Sequence, residues 1–373
     1  MSGLLGLAAA LLSITPAIAN TWEVDLVDGQ GPAKSSSLKV DKRGNIHVAY
    51  VVDDGNRFPL KYAFRDRSLG RWFVMKVADG AATCSLVLDR DQRPHISYVD
   101  YGTSSGSTLR YVRWDGSAWK KEQIVLNSDT IAYFSSIALD PQGRPAISFY
   151  EYRGPRDTEI RIRLRTVALI DGYWQVRTVD SQEGSGKFNC IAADSDGNLH
   201  LAYANVSSGT AGMRYAFWDG KGWKLDVVDG AAENKGDTVG YSACLALDRD
   251  GDPHLTYMNM THPGLKYAAR KNGRWQVQTI DALFAAGYPD RNSIALDGED
   301  RPYLSYYDAG RGELKMAHRN DGKWSIEIVD SGGAGFNSSL QVEDGVIYIS
   351  YAAASTGLKV ARRPIEQPAT DQP

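Results

Sequence analysis

Apolar and polar residues alternate in short runs along most of this chain. In "RPAISFY" (Arg144–Tyr150), "DPHLTYM" (Asp252–Met258), "GLKYAAR" (Gly264–Arg270) and "RWQVQTID" (Arg274–Asp281), apolar side chains fall at every second position. That is the period of a half-buried β-strand. The runs come in fours, in a fixed order. A short apolar strand ends on an acidic residue, followed by a turn of the form Asp-x-x-Gly. A second strand ends near Tyr, a third begins Leu-Lys-Tyr, and a fourth, after Gly-x-x-Trp, ends in Val-Asp.

The acidic anchor recurs at Asp41, Asp89, Asp140, Asp194, Asp248, Asp297 and Glu343, at steps of about 46–54 residues, the signature of a repeat architecture. Seven units of four short strands predict an all-β fold: a seven-bladed β-propeller with four antiparallel strands per blade. The strands are lettered A to D from the central axis outward. The seventh unit supplies A, B and C in "NSSLQVEDGVIYISYAAASTGLKVARR" and then stops. Its strand D is expected at the other end of the chain, in "TWEVDLVD" (residues 21–28), closing the ring and covering a bare sheet edge. Trp22, Trp72, Trp119, Trp174, Trp223, Trp275 and Trp324 then provide one tryptophan at the start of every strand D.

Composition agrees: the 373 residues include 20 Tyr, 9 Trp and 37 Gly. Lys+Arg 42 against Asp+Glu 45 leaves a net charge of −3, which gives no electrostatic reason to expect nucleic acid as a partner. Residues 1–19, "MSGLLGLAAALLSITPAIA", read as a secretory signal peptide. Leu4–Ile14 is too short to span a bilayer, and Ala17-Ile18-Ala19 suits cleavage. The expectation is a secreted or periplasmic monomer without membrane insertion, with its propeller over residues 20–363 and a disordered, Pro-rich tail over 364–373. Three cysteines cannot all pair within one chain. Cys190 and Cys244 occupy the same place on strand A of adjacent blades, and Cys84 sits one place earlier. Such positions are expected about 7–9 Å apart, at or beyond disulfide reach, so free, buried thiols at the channel mouth are predicted.

Residues present in every blade serve the blade. The acidic anchors suit carboxylates accepting turn N–H groups. His47, His95, His200 and His254 share one slot on strand B and, spread around a ring, cannot converge on one ion, so no metal and no cofactor is expected. The basic residues Lys61, Arg110, Arg161, Arg214, Lys266, Lys315 and Lys359 read as a solvated or cross-strand-paired ladder on strand C.

What does not repeat is the face formed by the D–A and B–C loops, and function sits on variable loops held by a rigid scaffold. Two residues beyond the strand-B aromatic slot, blades 2–6 carry Asp100, Glu151, Asn205, Asn259 and Asp308, while Val52 and Ala353 break the arc. The D–A loops bring Lys34, Tyr133, Phe134, Lys187, Phe188, Tyr241, Asp290, Arg291 and Phe336 toward the axis, with Tyr288 close by. Blade 3 has the most elaborate B–C loop, "YEYRGPRDTEI", and His262 is the one histidine on this face. Carboxylates and amides satisfy sugar hydroxyls, and aromatic faces stack on pyranose rings. The alternative is that the arc caps B–C turns.

At "LDPQGRPAISFY", "LDRDGDPHLTYM" and "LRYVRWDGSAW" the chain resembles secreted bacterial propellers of tandem L-D-x-x-G-x-P-H-I-S-Y and L-K-Y-A-x-W-D-G-x-x-W units, often grouped with the BNR, or Asp-box, repeats of the sialidase superfamily. The resemblance covers nearly the whole mature chain and implies fold rather than activity. Asp115 to Trp119 and Asp219 to Trp223 are one residue shorter than an Asp box. The three arginines of a sialidase site are not matched: of Arg153, Arg156 and Arg291, the first two share one loop. The leading expectation is therefore a non-catalytic propeller that binds a glycan or protein ligand. Its ligand-binding candidates are Asp100, Glu151, Asn205, Asn259, Asp308, Tyr133, Phe188, Tyr241, Tyr288 and Arg291. The alternative is a carbohydrate-active enzyme: a polysaccharide lyase with His262 or Tyr241 as base and Arg291 or Lys187 neutralising a uronate, or a hydrolase using Asp100 and Glu151.

Overall fold

The computed structural model describes residues 21–365, apart from 56, 101–106, 125–129, 154–160, 208–210, 231–235, 283–290 and 354–355. The proposed signal peptide and residues 366–373 lie outside the described residues. So do Tyr288, Asp290, Arg156 and most of the long blade-3 loop.

Twenty-eight strands, β1 to β28 in chain order, form seven separate four-stranded sheets, each antiparallel throughout. The inner strands are β2 (Ala33–Val40), β6 (Ala81–Leu88), β10 (Thr130–Leu139), β14 (Ser185–Ala193), β18 (Val239–Leu247), β22 (Ser293–Leu296) and β26 (Ala334–Glu343). The protein is a seven-bladed β-propeller. Its last sheet joins β1 (Glu23–Asp28), β28 (Gly357–Pro364), β27 (Val346–Ala353) and β26 in that order, so β1 is the outer strand of blade 7, paired with β28. The closing strand is where the sequence predicts it. β28 itself extends to Pro364, one residue into the expected tail.

Each sheet buries one face against the next, and the core is accordingly seven apolar wedges, one per blade boundary. Leu38, Val48 and Tyr50 of blade 1, for example, pack on Leu358 and Val360 of blade 7. Fully burying one such side chain contributes about 1.5–3 kcal/mol.

The repeated polar residues hold the turns and the boundaries. Asp41 accepts the N–H groups of Arg43 and Asn45 at 2.8 Å each, and Asp140, Asp194, Asp248 and Asp297 do the same in their blades. Each repeated histidine bridges its anchor to a strand-C tyrosine. His47 lies 2.6 Å from the Tyr62 hydroxyl and 3.4 Å from Asp41, and His95, His200 and His254 repeat the arrangement. The tyrosine then meets the next blade's tryptophan edge-on, as Tyr62 meets Trp119 at 5.2 Å.

The basic slot on strand C is paired rather than solvated: Arg110, Arg165 and Lys315 meet a carboxylate on the neighbouring strand B, as cross-strand pairing predicts, and Lys61, Lys266, Lys315 and Lys359 also clasp a blade boundary. The aspartate that ends strand D of one blade accepts from both the strand-B tyrosine and the strand-C lysine of the next. Asp28 takes Tyr50 and Lys61, each at 2.7 Å. Asp229 takes Tyr257 and Lys266, Asp281 takes Tyr306 and Lys315, and Asp330 takes Tyr351 and Lys359. In blade 3 the register puts Arg165, not the expected Arg161, opposite the strand-B slot at Phe149.

Candidate functional site

A channel of about 590 Å³ runs along the propeller axis, walled by the seven inner strands. Its wall carries a ring of small residues: Ser37, Ser85, Ser136, Cys190, Cys244, Ser293 and Ser339. Each accepts a backbone N–H from the inner strand of the following blade. The hydroxyl members receive Leu86, Ile137, Ile191, Leu340 and Leu38 at 2.9–3.3 Å. The two thiols receive Leu245 and Ile294. The ring thus stitches all seven blades at the level of the axis.

Just toward the D–A/B–C face, most inner strands bulge. Phe134, Phe188, Ser242 and Asn337 occupy equivalent bulge positions with φ between 51° and 57°. Asn tolerates this left-handed backbone, whereas an aromatic residue there is uncommon and carries a cost of about 1 kcal/mol or more. The two phenylalanines place their rings 4.8 Å apart, and Tyr241 continues the row 5.0 Å from Phe188. Tyr133 packs behind it, 6.5 Å from Phe134 and 6.1 Å from Tyr150. Blades 3 to 5 therefore give the mouth an aromatic side.

The other side is polar. Arg291 of blade 6 reaches across the channel, its guanidinium donating to the carbonyls of Cys84 (3.2 Å) and Ser135 (3.5 Å) in blades 2 and 3. Next to it, Asn292 is 4% exposed and neither atom of its amide has a partner among the described residues; the hydroxyl of buried Ser242, beside Tyr241 in blade 5, has none there either. Both line the channel. Asn337 donates to the Lys34 carbonyl at 2.7 Å, and Lys34 pairs with Asp53 at 3.0 Å. Lys39 lies toward the opposite end; burial lowers its pKa, while Cys244, Cys190 and Glu343 act to raise it.

Two of the three thiols line this channel and face one another, with Sγ atoms 3.7 Å apart. The bond shared with Cys190 pulls the Cys244 thiol down, against burial and with help from backbone N–H groups and Arg291. The same bond and burial push Cys190 up. Cys84 is turned into a blade boundary against Ser35 and does not reach the channel wall.

The acidic–amide arc lies outside the channel lining, and its side chains are engaged. Asp100 receives Arg110 at 3.1–3.2 Å and Glu151 receives Arg165 at 3.3 Å. Asn205 bonds Ser185 and caps Ser207, Asn259 bonds Asp237 and caps Thr261, and Asp308 holds Lys315 and caps Gly310. Blade 6 keeps a carboxylate at both places, Asp281 and Asp308 sharing Lys315, whereas blades 2, 4 and 5 follow an exchange. Strand D of blade 1 ends in Ala78, where the boundary aspartate would stand, and Arg110 of blade 2 takes a carboxylate from its own blade. Where Asp180 and Asp229 are present, blades 4 and 5 carry amides in the arc. Sequence reading missed this exchange because it links residues in different blades.

His262 stands apart from the channel, 80% exposed, its Nδ1 2.9 Å from both oxygens of Asp237. The bonds from His262 and Asn259 hold the Asp237 carboxyl below its usual range. Among the described residues no group of three or more His, Cys, Asp or Glu side chains is arranged to hold a metal ion. No helix there is long and apolar enough to cross a membrane.

No family model matches the chain, and no curated protein does. Solved structures do match in fold. An ulvan lyase, described as a new family of polysaccharide lyase and bound to -[GlcA(1-4)Rha3S]-, superposes with a TM-score of 0.61 at 12% identity over 90% of this chain and 94% of its own. A Hadza microbial sialidase gives 0.54 at 12% over 82% and 73%. The Aleuria aurantia lectin in complex with α-methyl-L-fucoside gives 0.51 at 16% over 80% and 96%. At these identities the likeness is one of fold. These propellers include a lyase, a sialidase and a lectin, and the likeness does not choose between binding and catalysis.

Proposed function

We propose that this chain is an exported, non-catalytic carbohydrate-binding propeller whose ligand sits at the channel mouth on the D–A/B–C face. One observation carries the reading: Phe134 and Phe188 hold a backbone conformation that disfavours aromatic residues, and thereby present two adjacent rings beside the channel opening. Strained positions of this kind concentrate at ligand sites. The sequence accepts the cost twice, side by side. Around the same mouth, the Arg291 guanidinium and the Asn292 amide and Ser242 hydroxyl, the last two without a partner among the described residues, offer donors and acceptors suited to sugar hydroxyls. The fold likeness to a lectin, a sialidase and a lyase supports a carbohydrate as ligand. Of the residues expected from sequence, Tyr133, Phe188, Tyr241 and Arg291 enter this site directly, while the arc from Asp100 to Asp308 holds the loops around it. The BNR-like motifs are consistent with this reading and add nothing to the choice of ligand.

A glycan array followed by calorimetry tests it. Binding that falls at least tenfold in Phe188→Ala and in Asn292→Ala is the expected result. A wild-type protein that binds no glycan, or a Phe188→Ala variant that binds unchanged, overturns it.

A second reading rests on His262. Its Nδ1 is held by Asp237, its ring is exposed, and Asn259 fixes Asp237 in turn at 2.8 Å. That chain of contacts is how a general base is oriented, and it suits a lyase acting on a uronate polysaccharide. Unsaturated product from such a polymer, lost in His262→Ala, would favour this reading over simple binding.

A further inference from the structure

We propose that Cys190 and Cys244 form a binding site for a thiophilic monovalent d10 cation of the Cu(I) or Ag(I) class, inside the central channel. The argument starts from the ring of seven equivalent inner-strand positions. Five are serines, and serine suffices to accept the N–H of the following blade. The two cysteines are neighbours in the ring, so the exchange of oxygen for the weaker acceptor sulfur brings two thiols face to face, 3.7 Å apart.

A metal–thiolate bond of about 2.3 Å sets two sulfurs about 4.6 Å apart across a linear two-coordinate ion, so from their 3.7 Å separation the thiols need only turn apart by about 0.9 Å to admit it. A disulfide needs about 2.05 Å between the sulfurs, well inside the 3.7 Å observed, and both cysteines are free. Only two ligands converge, because no third His, Cys, Asp or Glu joins them among the described residues. That excludes the three or four protein ligands of a zinc site and suits a soft ion content with two thiolates.

Charge agrees. Binding replaces two S–H protons, released to water, with two metal–sulfur bonds, and leaves a complex of net charge −1. Arg291 lies toward the mouth and Lys39 toward the other end, and both interact electrostatically with the thiols. The channel supplies the entry path. This inference stands apart from the carbohydrate reading, since the mouth residues are not its ligands.

The experiment titrates the reduced, full-length protein with Cu(I) under argon, using a non-thiol reductant and bicinchoninate as competitor. One equivalent is expected to bind, with near-ultraviolet thiolate-to-copper absorption. Cys190→Ser and Cys244→Ser should each weaken binding at least tenfold, and Cys84→Ser should leave it unchanged. In the wild-type protein, which avoids any folding defect of the variants, Cu(I) should protect Cys190 and Cys244 from alkylation. Failure of the reduced protein to bind Cu(I), equal affinity in Cys190→Ser, or unprotected thiols at saturation overturns the proposal. So does a Cys190–Cys244 disulfide formed in air by a protein that ignores Cu(I).

Discussion

The Ser339 hydroxyl accepts the backbone N–H of Leu38 at 3.0 Å, although 301 positions separate them in the chain. It is the bond that completes the ring around the channel, and it joins blade 7 to blade 1 where the sequence is discontinuous. Beside it, β1 supplies the outer strand of blade 7 and Asp28, which clasps Tyr50 and Lys61 of blade 1.

Deleting residues 22–28 removes that strand and that aspartate together. It should bare the edge of β28, leave Tyr50 and Lys61 without their carboxylate, and convert one cooperative unfolding transition into a broad or aggregating one. Calorimetric scans of the deletion check this. A monomer with a sharp transition near the wild-type temperature would show that closure is dispensable.

Asp100→Asn should destabilise blade 2 by about 1–2 kcal/mol, because Arg110 loses its only carboxylate among the described residues. Adding Ala78→Asp restores the boundary aspartate that the other clasps use, and should recover at least half of the loss. Denaturant midpoints of the single and double variants decide it. If the second change lowers stability further, the exchange between boundary and arc carboxylates is not what the repeat encodes.

Tyr306→Phe removes a buried hydroxyl from Asp281 and should cost about 1.5–3 kcal/mol, since hydrogen bonds to charged groups are the stronger ones. Cys190→Ser should change stability by less than about 1 kcal/mol, because serine fills that slot in five other blades, whereas Cys190→Val leaves the Leu245 N–H unpaired and should cost about 1–3 kcal/mol. Equal midpoints for the Ser and Val variants would remove the ring from the account of stability.

Acid should unfold the protein in two stages. Burial keeps His95, His200 and His254 below the ordinary histidine range, against the pull of their aspartates. The unfolded chain therefore takes up these protons first, and stability falls as pH drops below about 6.5. Burial opposes ionisation of Asp28, Asp41, Asp194 and Asp330, but their side-chain and backbone donors outweigh it and hold the carboxyls below their usual range. Their contribution is present above about pH 4 and is lost as pH falls below it. Melting temperature against pH should show both steps. A flat profile from pH 7 to 4.5 would mean the histidines are not buried neutral.

The repeat alone determined the fold, its blade count and its closing strand. Alternation, acidic turns and one tryptophan per strand D are local properties, and a propeller repeats one local solution seven times. The same logic made the structural role of His47, His95, His200 and His254 legible, since a residue in a repeated slot answers a repeated need. What only the tertiary structure decided are relations between blades. Asp100 and Glu151 look like free acidic groups in sequence because Arg110 and Arg165 meet them through sheet register, and the missing boundary carboxylate lies in another blade. The facing of Cys190 and Cys244 depends on how closely inner strands crowd the axis. The conformation of Phe134 and Phe188 depends on a bulge that these two positions do not announce, because phenylalanine stands there in the slot that Asn337 fills in blade 7.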